Sequence, residues 1–446
     1  METPRESNNG GSHDEGNGGF MATCRLQLCS AVDKLRQSVI VLAGKLAKIA
    51  RDDPRRVAHS LKVGLALTLV SVVYYVTPLF KGHTDNTMWA VLTVVVVMEF
   101  TIGGTLSKGL NRAAATLLAG FLAVGAHLVA DLCGQKGEPI LLGVFVFFVA
   151  SAATFSRFIP AIKARHDYGV TIFILTFSLV AVSSYRVEEL IQYAHQRFTT
   201  IVIGVATCLV TTIFVFPVWA GEDLNELTAS NLDKLADFLD GIESKCFGGN
   251  TASENLEDKV FLQVYKSILN SKTREDSLYS FARWEPGHGK FSFRHPWGQY
   301  QKIGVLCRQC ASSMEALASY VVTATKSPYP DANPELSLKV RRACCEMNLQ
   351  SAKALRELSS EIRTMTILDV TKDMSAAMES ANRLRSELSE DTALLQVMHV
   401  SVIASLLSDM VSQIKKLTES VENLARLANF KSPKRSQVGV VIDIVS

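Results

Sequence analysis

The sequence lacks the short motifs that mark the common enzyme classes. It has no GxSxG, no HExxH, no phosphate-binding loop and no GxGxxG after a strand. Its net charge of +3 is too small to indicate a nucleic-acid partner. The first twenty residues are rich in Gly, Asn and Ser and contain no apolar stretch for a signal peptide. These absences argue against an enzyme and predict a disordered cytosolic tail at the start of the chain.

A disulfide framework and a metal site are also absent from the pattern. The nine cysteines are an odd number in a long chain, which predicts reduced cytosolic thiols. Cys307 and Cys310 have CxxC spacing, and Cys344 and Cys345 follow at a distance. Adjacent cysteines rarely supply two of the four ligands of a structural zinc site, so we predict no metal and no cofactor.

Long apolar segments are what the sequence does have. Residues 57–219 are mostly apolar, whereas residues 220–446 are rich in Lys, Arg, Asp and Glu. Six segments approach the ~20 residues that a helix needs to cross a bilayer. They run over 57–79, 88–106, 110–130, 139–155, 168–185 and 198–219. Buried soluble helices are the alternative, but six such segments in succession favour a membrane domain made of helices.

Lys and Arg distribution orients these segments. One side carries nine cations: Arg51, Arg55, Arg56, Lys62, Lys108, Arg112, Arg157, Lys163 and Arg165. The other side carries four: Lys81, Lys136, Arg186 and Arg197. We therefore expect both termini in the cytosol.

The predicted fold class is all-α, with six transmembrane helices followed by a cytosolic helical bundle. Residues 1–50 comprise the disordered tail and an amphipathic lead-in helix, and residues 51–220 the membrane domain. Residues 221–430 form the helical domain, and residues 431–446 a basic tail. The lead-in helix suits either an anionic membrane surface or packing against the soluble half.

Several cations stand inside or beside the apolar segments. Lys62 and Arg112 are flanked by apolar residues, and Arg157, Lys163 and Arg165 lie in one short stretch. Positive-inside sorting explains part of this pattern. Charges within membrane segments usually face a pore or a partner, and rings of Lys and Arg suit an anion-selective pore. Together with Arg197 at the start of the sixth segment, these residues predict an anion pathway.

Glu99 is the one acid within a predicted segment. An isolated carboxylate costs at least ~2.5 kcal/mol at the bilayer centre. Two interpretations remain open for it. It is either a pore or gate residue, or the partner of a salt bridge with Lys62 or Arg112.

Several runs resemble the plant aluminium-activated malate transporter family. In the apolar half they are Trp89–Phe100 (WAVLTVVVVMEF), Gly104–Arg112 (GTLSKGLNR), Asp167–Gly169, Ile172–Phe177 and Phe216–Leu224 (FPVWAGEDL). In the soluble half they are Trp284–Pro286, Arg294–Trp297 and Arg308–Cys310. The resemblance extends from about Asp52 to Phe430. Ser183–Val187 is similar to the branch that contains the guard-cell rapid-type anion channels.

The resemblance implies a homodimeric channel in the lipid bilayer that passes malate, chloride, nitrate and sulfate. It also implies gating by voltage and anions, and the plasma membrane rather than the vacuolar membrane.

Two rival functions remain. One is a proton-coupled secondary transporter of organic anions that uses Glu99, although no inverted repeat is visible. The other is a membrane-anchored scaffold whose helical half binds partners.

Overall fold

The computed structural model describes residues 15–76, 84–182, 187–242, 263–326, 334–390 and 398–432, and these residues form helices joined by short connections. The first seven helices are α1 (Glu15–Asp52), α2 (Pro54–Val76), α3 (Thr84–Val97), α4 (Ile102–Asp131), α5 (Gly134–Ser156), α6 (Pro160–Val182) and α7 (Val187–Phe214). The next seven are α8 (Ala220–Ile242), α9 (Val264–Leu269), α10 (Lys272–Ala282), α11 (Trp297–Lys326), α12 (Pro334–Thr364), α13 (Thr371–Glu390) and α14 (Met398–Leu427).

Four helices in the described ranges are long and apolar enough to cross a membrane. They comprise Pro54–Val73, Ile102–Asp131, Gly137–Ser156 and Ala194–Phe214. A shorter apolar helix covers Met88–Val97. The predicted fifth segment begins inside α6, and its last residues lie outside the described range. The all-α class is therefore confirmed for the described residues, whereas the six crossings, the membrane domain over 51–220 and the cytosolic bundle stay predictions.

The second predicted segment does not form one continuous helix. α3 ends at Val97 and α4 begins at Ile102, so the expected helix over 88–106 is wrong. The Thr101 side chain explains the start of α4, because its hydroxyl accepts a hydrogen bond from Gly104 N at 3.2 Å. Thr105 adds a second restraint, because its hydroxyl accepts from Glu99 N at 3.0 Å. The break places Glu99 in a turn.

Small residues let the membrane helices approach closely. A Cβ added at Gly204 on α7 would meet Thr93 Cβ of α3 at 2.9 Å. A Cβ added at Gly109 on α4 would meet Val205 Cγ1 at 2.7 Å. These close approaches pack α7 against both α3 and α4.

From residue 220 onward, the described helices are built around one apolar cluster. The leucines of α8 recur at helical spacing and face this cluster, with Leu232, Leu235 and Leu239 buried and Leu227 partly buried. α11, α12 and α14 contribute further buried residues to the same cluster. Apolar residues recur at helical spacing over residues 254–282, where the structure has two short helices, α9 and α10, and residues 254–262 lie outside the described ranges.

The chain divides into two compact units, Met1–Leu65 and Ala66–Ser446. In the first unit α1 begins at Glu15, so the tail expected over the first twenty residues is helical from that point. The side chains of Leu35, Leu42 and Leu46 on α1 are exposed.

Candidate functional site

A polar stripe runs along one face of α4. Lys108, Arg112 and Thr116 follow each other at four-residue intervals, which places them on the same side of the helix. Arg112 is only 2% exposed, and its Nη1 donates a hydrogen bond to Tyr168 Oη at 3.3 Å. Within the described part of the chain, Arg112 Nε and Thr116 Oγ1 have no hydrogen-bond partner. Buried polar atoms of this kind have unused hydrogen-bonding capacity that water or a ligand can satisfy.

Glu99 pairs with the cation at the N-terminal end of this stripe. Its Oε1 forms an ion pair with Lys108 Nζ, and Lys108 also lies 5.8 Å from the centre of the Tyr168 ring. The sequence named Lys62 or Arg112 as the partner of Glu99, whereas the structure shows a pair with Lys108 and a contact of Arg112 with Tyr168. The turn between α3 and α4 explains the outcome, because it folds Glu99 back against the second turn of α4.

Arg197 on α7 is a second buried guanidinium, 2% exposed. Its Cζ lies 3.7 Å from the centre of the Trp89 ring, so the guanidinium has an aromatic partner on α3. Gly120 of α4 faces Ala194, because an added Cβ would meet Ala194 Cβ at 3.8 Å. α4 and α7 run antiparallel, so Arg197, three residues after Ala194, lies at the level of residue 117 of α4. That level is about five residues beyond Arg112, or ~8 Å along the helix axis.

The three cations between α5 and the middle of α6 form a different group. Arg157 ends α5 and makes a bidentate pair with Asp167, with Nε–Oδ1 2.7 Å and Nη2–Oδ2 3.1 Å. This hydrogen-bonded pair raises the pKa of Arg157 and lowers that of Asp167. Lys163 and Arg165 are exposed, and Arg165 Cζ lies 5.1 Å from the Trp284 ring centre. The structure thus separates exposed cations from buried ones.

Lys62 lies on α2 and is 1% exposed. The positive-inside distribution of Lys and Arg does not by itself account for an ammonium group that is fully buried on an apolar helix. Lys81 and Arg186, from the orientation count, lie outside the described residues, as does Ser183–Arg186 of the branch motif.

A buried carboxylate links the membrane helices to the soluble half. Glu285 Oε1 accepts hydrogen bonds from Gly103 N at 3.3 Å and Ala220 N at 2.6 Å. Its Oε2 accepts from Gly221 N at 2.9 Å. One side chain therefore holds the first turns of α4 and α8, where helix N–H groups have no partner within the helix. Burial raises the pKa of Glu285, while the three amide donors oppose that rise.

The surroundings of Glu285 leave no room for larger residues. A Cβ at Gly103 would collide with the Phe281 carbonyl oxygen and lie 2.8 Å from Glu285 Cγ. Beside this joint, Trp219 stacks on His288 with ring centres 3.8 Å apart. Trp219 thus has an aromatic partner beside the Glu285 joint.

Trp284–Pro286 stands out in the sequence only through its resemblance to the family, and no chemical role for Glu285 was predicted from it. The four-residue spacing of Lys108 and Arg112 could have identified Lys108 as a site residue. No local pattern identifies the acceptor role of Glu285, because Gly103 lies 182 residues away.

Within the described ranges, no group of three or more His, Cys, Asp or Glu residues is placed to hold a metal ion. Cys307, Cys310 and Cys344 are buried, and burial raises the pKa of Cys310 and of Cys344 to about 12. These thiols pack in the helical core.

Comparison with known proteins gives a consistent result. Residues 47–396 match the family model described as aluminium activated malate transporter. The chain is 62% identical to aluminum-activated malate transporter 1 of Triticum aestivum, covering 96% of this chain and 94% of that protein. It is 44% identical to transporter 2 of Arabidopsis thaliana over 91% of this chain and 80% of that protein, and 40% identical to transporter 12 over 76% and 62%.

These relatives are named as transporters, so the chain is a plant-type multi-pass transport protein and not an enzyme. The family model matches residues 47–396, which is most of the chain, and the wheat relative aligns with 96% of it. The chain belongs to the aluminium-activated malate transporter family.

Proposed function

We propose that this protein is a passive channel for malate and for chloride, nitrate and sulfate. The observation that carries the proposal is the series of buried polar groups on α4 and α7. Arg112 and Arg197 are both nearly inaccessible, yet Arg112 Nε and Thr116 Oγ1 have no hydrogen-bond partner in the described residues. A buried guanidinium with an open donor is suited to an anion that passes through.

Spacing supports conduction rather than tight capture. Lys108, Arg112 and Arg197 follow one another along α4 and α7, with ~8 Å between the last two. Malate has two carboxylates, and a guanidinium can bind each of them with two parallel hydrogen bonds. Because the cations are spread out, an anion can move from one to the next without occupying a closed cage.

The exposed cations have a different part in this proposal. Arg157, Lys163 and Arg165 attract anions to the cytosolic entrance, where clefts of one charge sign raise the local anion concentration. Lys62 is a further fixed cation in the membrane half, on α2. The working unit is a homodimer in the plasma membrane with six crossings in each subunit, cytosolic termini, and gating by voltage and anions.

Whole-cell current in a heterologous cell tests the proposal, with malate, nitrate, sulfate and chloride exchanged in turn. We expect Arg112→Gln and Arg197→Gln each to lower malate current at least tenfold at equal surface expression. Arg383→Gln is the matched control, because Arg383 is an exposed arginine of α13 that pairs with Glu379. Wild-type current and selectivity in both membrane variants would refute the cation-lined pathway.

Proton-coupled transport is the second candidate, because Glu99 is a carboxylate in the membrane half that lies beside Lys108 at one end of the polar stripe. Reversal potentials distinguish the two mechanisms. A channel follows the anion gradient alone, whereas a coupled carrier shifts with external pH at a constant malate gradient. The Glu99→Gln variant should abolish that shift if coupling operates.

A further inference from the structure

A cavity of about 330 Å³ opens between α4, α5 and α6. Its walls comprise Asn111, Ala114, Ala115 and Leu118 from α4, Ala153 and Ser156 from α5, and His166, Gly169, Val170 and Phe173 from α6. The volume is at the lower end of the range for small-molecule sites. The polar stripe of α4 faces an adjacent side of the helix, and Lys108, Arg112 and Thr116 do not line this cavity.

The lining has a polar end and an apolar end. At the polar end His166 Nδ1 lies 2.8 Å from Asn111 Oδ1, and Asn111 Nδ2 donates to the Arg165 carbonyl oxygen at 3.4 Å. Leu118 on α4 and Phe173 on α6 lie about two helical turns further along, on the side of the hydrocarbon. The predicted membrane segments begin at 110 and 168, and with the predicted orientation the polar end lies at the cytosolic interface of the bilayer.

Positive charge surrounds the polar end. Arg157 directly follows Ser156, and Arg165 directly precedes His166. Lys163 lies one turn earlier on α6, and all three side chains are partly or fully exposed. Asp167 neutralises one of these charges through its pair with Arg157. The remaining excess favours an anionic group at the mouth of an apolar groove.

We propose that this cavity binds one anionic glycerophospholipid of the cytoplasmic leaflet. The acyl chain lies between α4, α5 and α6, where alanines and Gly169 leave the groove open. The phosphate lies at the interface near Lys163 and Arg165. This assignment uses a different face of α4 from the proposed anion route, and it shares only the exposed Lys163 and Arg165 with the entrance of that route.

Occupancy would brace a joint between the two halves of the chain. His166 packs edge-on against Trp284 with ring centres 6.4 Å apart, and Trp284 precedes the carboxylate of Glu285. A lipid held beside His166 therefore stabilises the contact between α6 and the segment that carries Glu285. The bound lipid should raise the thermal unfolding midpoint of the full-length protein.

The test uses purified full-length protein in nanodiscs of phosphatidylcholine, with and without 20% phosphatidylglycerol. Native mass spectrometry counts retained lipids, and thermal unfolding measures stabilisation. Ala153→Trp fills the groove, and Ala152→Trp is the matched control, because Ala152 is an exposed neighbour that does not line the cavity. We expect Ala153→Trp to lower apparent affinity for phosphatidylglycerol at least tenfold, and Ala152→Trp to leave it unchanged.

Three outcomes would overturn the proposal. Equal retention of phosphatidylglycerol by wild type and Ala153→Trp would place the lipid elsewhere. Equal stabilisation by phosphatidylcholine would show an apolar groove without headgroup selection. Stabilisation by glycerol phosphate alone would identify a site for a free anion. If Ala153→Trp unfolds during purification, Lys163→Gln tests the same site from its exposed polar end. We expect Lys163→Gln to lower the retention of phosphatidylglycerol at least threefold.

Discussion

Removing the Glu285 carboxylate is the sharpest test of how the two halves of the chain are joined. In Glu285→Ala, the backbone N–H groups of Gly103, Ala220 and Gly221 lose their acceptor. A buried donor left without a partner costs ~1–3 kcal/mol. Release of the buried charge offsets part of this loss, because burial raises the pKa of Glu285. We expect a net destabilisation of about 2–4 kcal/mol.

Glu285→Gln should have an intermediate effect. The amide keeps one oxygen acceptor, but its NH₂ group faces a backbone N–H that also donates. At least one of the three donors is therefore unsatisfied, which predicts a loss of ~1–2 kcal/mol. Each kcal/mol lowers the unfolding midpoint by about 2–4 °C for a domain of 150–250 residues.

Thermal unfolding of the purified protein is the assay, and malate current in a heterologous cell is the second readout. Glu222→Gln is the matched control, because Glu222 is an exposed carboxylate in the first turn of α8. We expect both the unfolding midpoint and the malate current to be highest in wild type, lower in Glu285→Gln and lowest in Glu285→Ala. An unfolding midpoint for Glu285→Ala within 1 °C of wild type would refute the reasoning.

Three further predictions follow from other contacts. Trp89→Leu should lower stability by ~1–2 kcal/mol in detergent, because the buried Arg197 guanidinium loses its aromatic partner. Gly204→Val should cost ~1–3 kcal/mol by forcing α7 away from Thr93. Burial raises the pKa of Glu361 to about 7, so the folded protein binds a proton that the unfolded chain releases near pH 4.3. Stability should therefore fall as pH rises across this window, by up to ~3 kcal/mol, and Glu361→Gln should remove this dependence.

Matched variants make these outcomes interpretable. Trp89→Phe keeps an aromatic face, so it should retain part of the stability that Trp89→Leu loses. Gly44→Val is a control for Gly204→Val, because nothing lies within 4 Å of an added Cβ there. Glu419→Gln controls for Glu361→Gln, since Glu419 is exposed on α14. A pH dependence that survives in Glu361→Gln would assign it to another group.

The division of the predicted cations shows where sequence reasoning stops. Lys62, Arg112 and Arg197 are buried, whereas Lys163 and Arg165 are exposed. All of them carry the same formal charge in similar apolar surroundings of the sequence. Helix rotation and packing decide which face each side chain occupies, and single-sequence periodicity is weak where a segment is apolar all round.

The sequence by itself determined the class of this protein. Long apolar segments require helices in lipid, and leucines at helical spacing predicted the buried face of α8. The tertiary structure alone decided that Glu99 pairs with Lys108 and that Glu285 joins α4 to α8. The first depends on a turn between α3 and α4, and the second on contacts between residues up to 182 positions apart. Hydropathy reports how each residue partitions between water and lipid, but not which distant backbone donors a folded chain brings to one carboxylate.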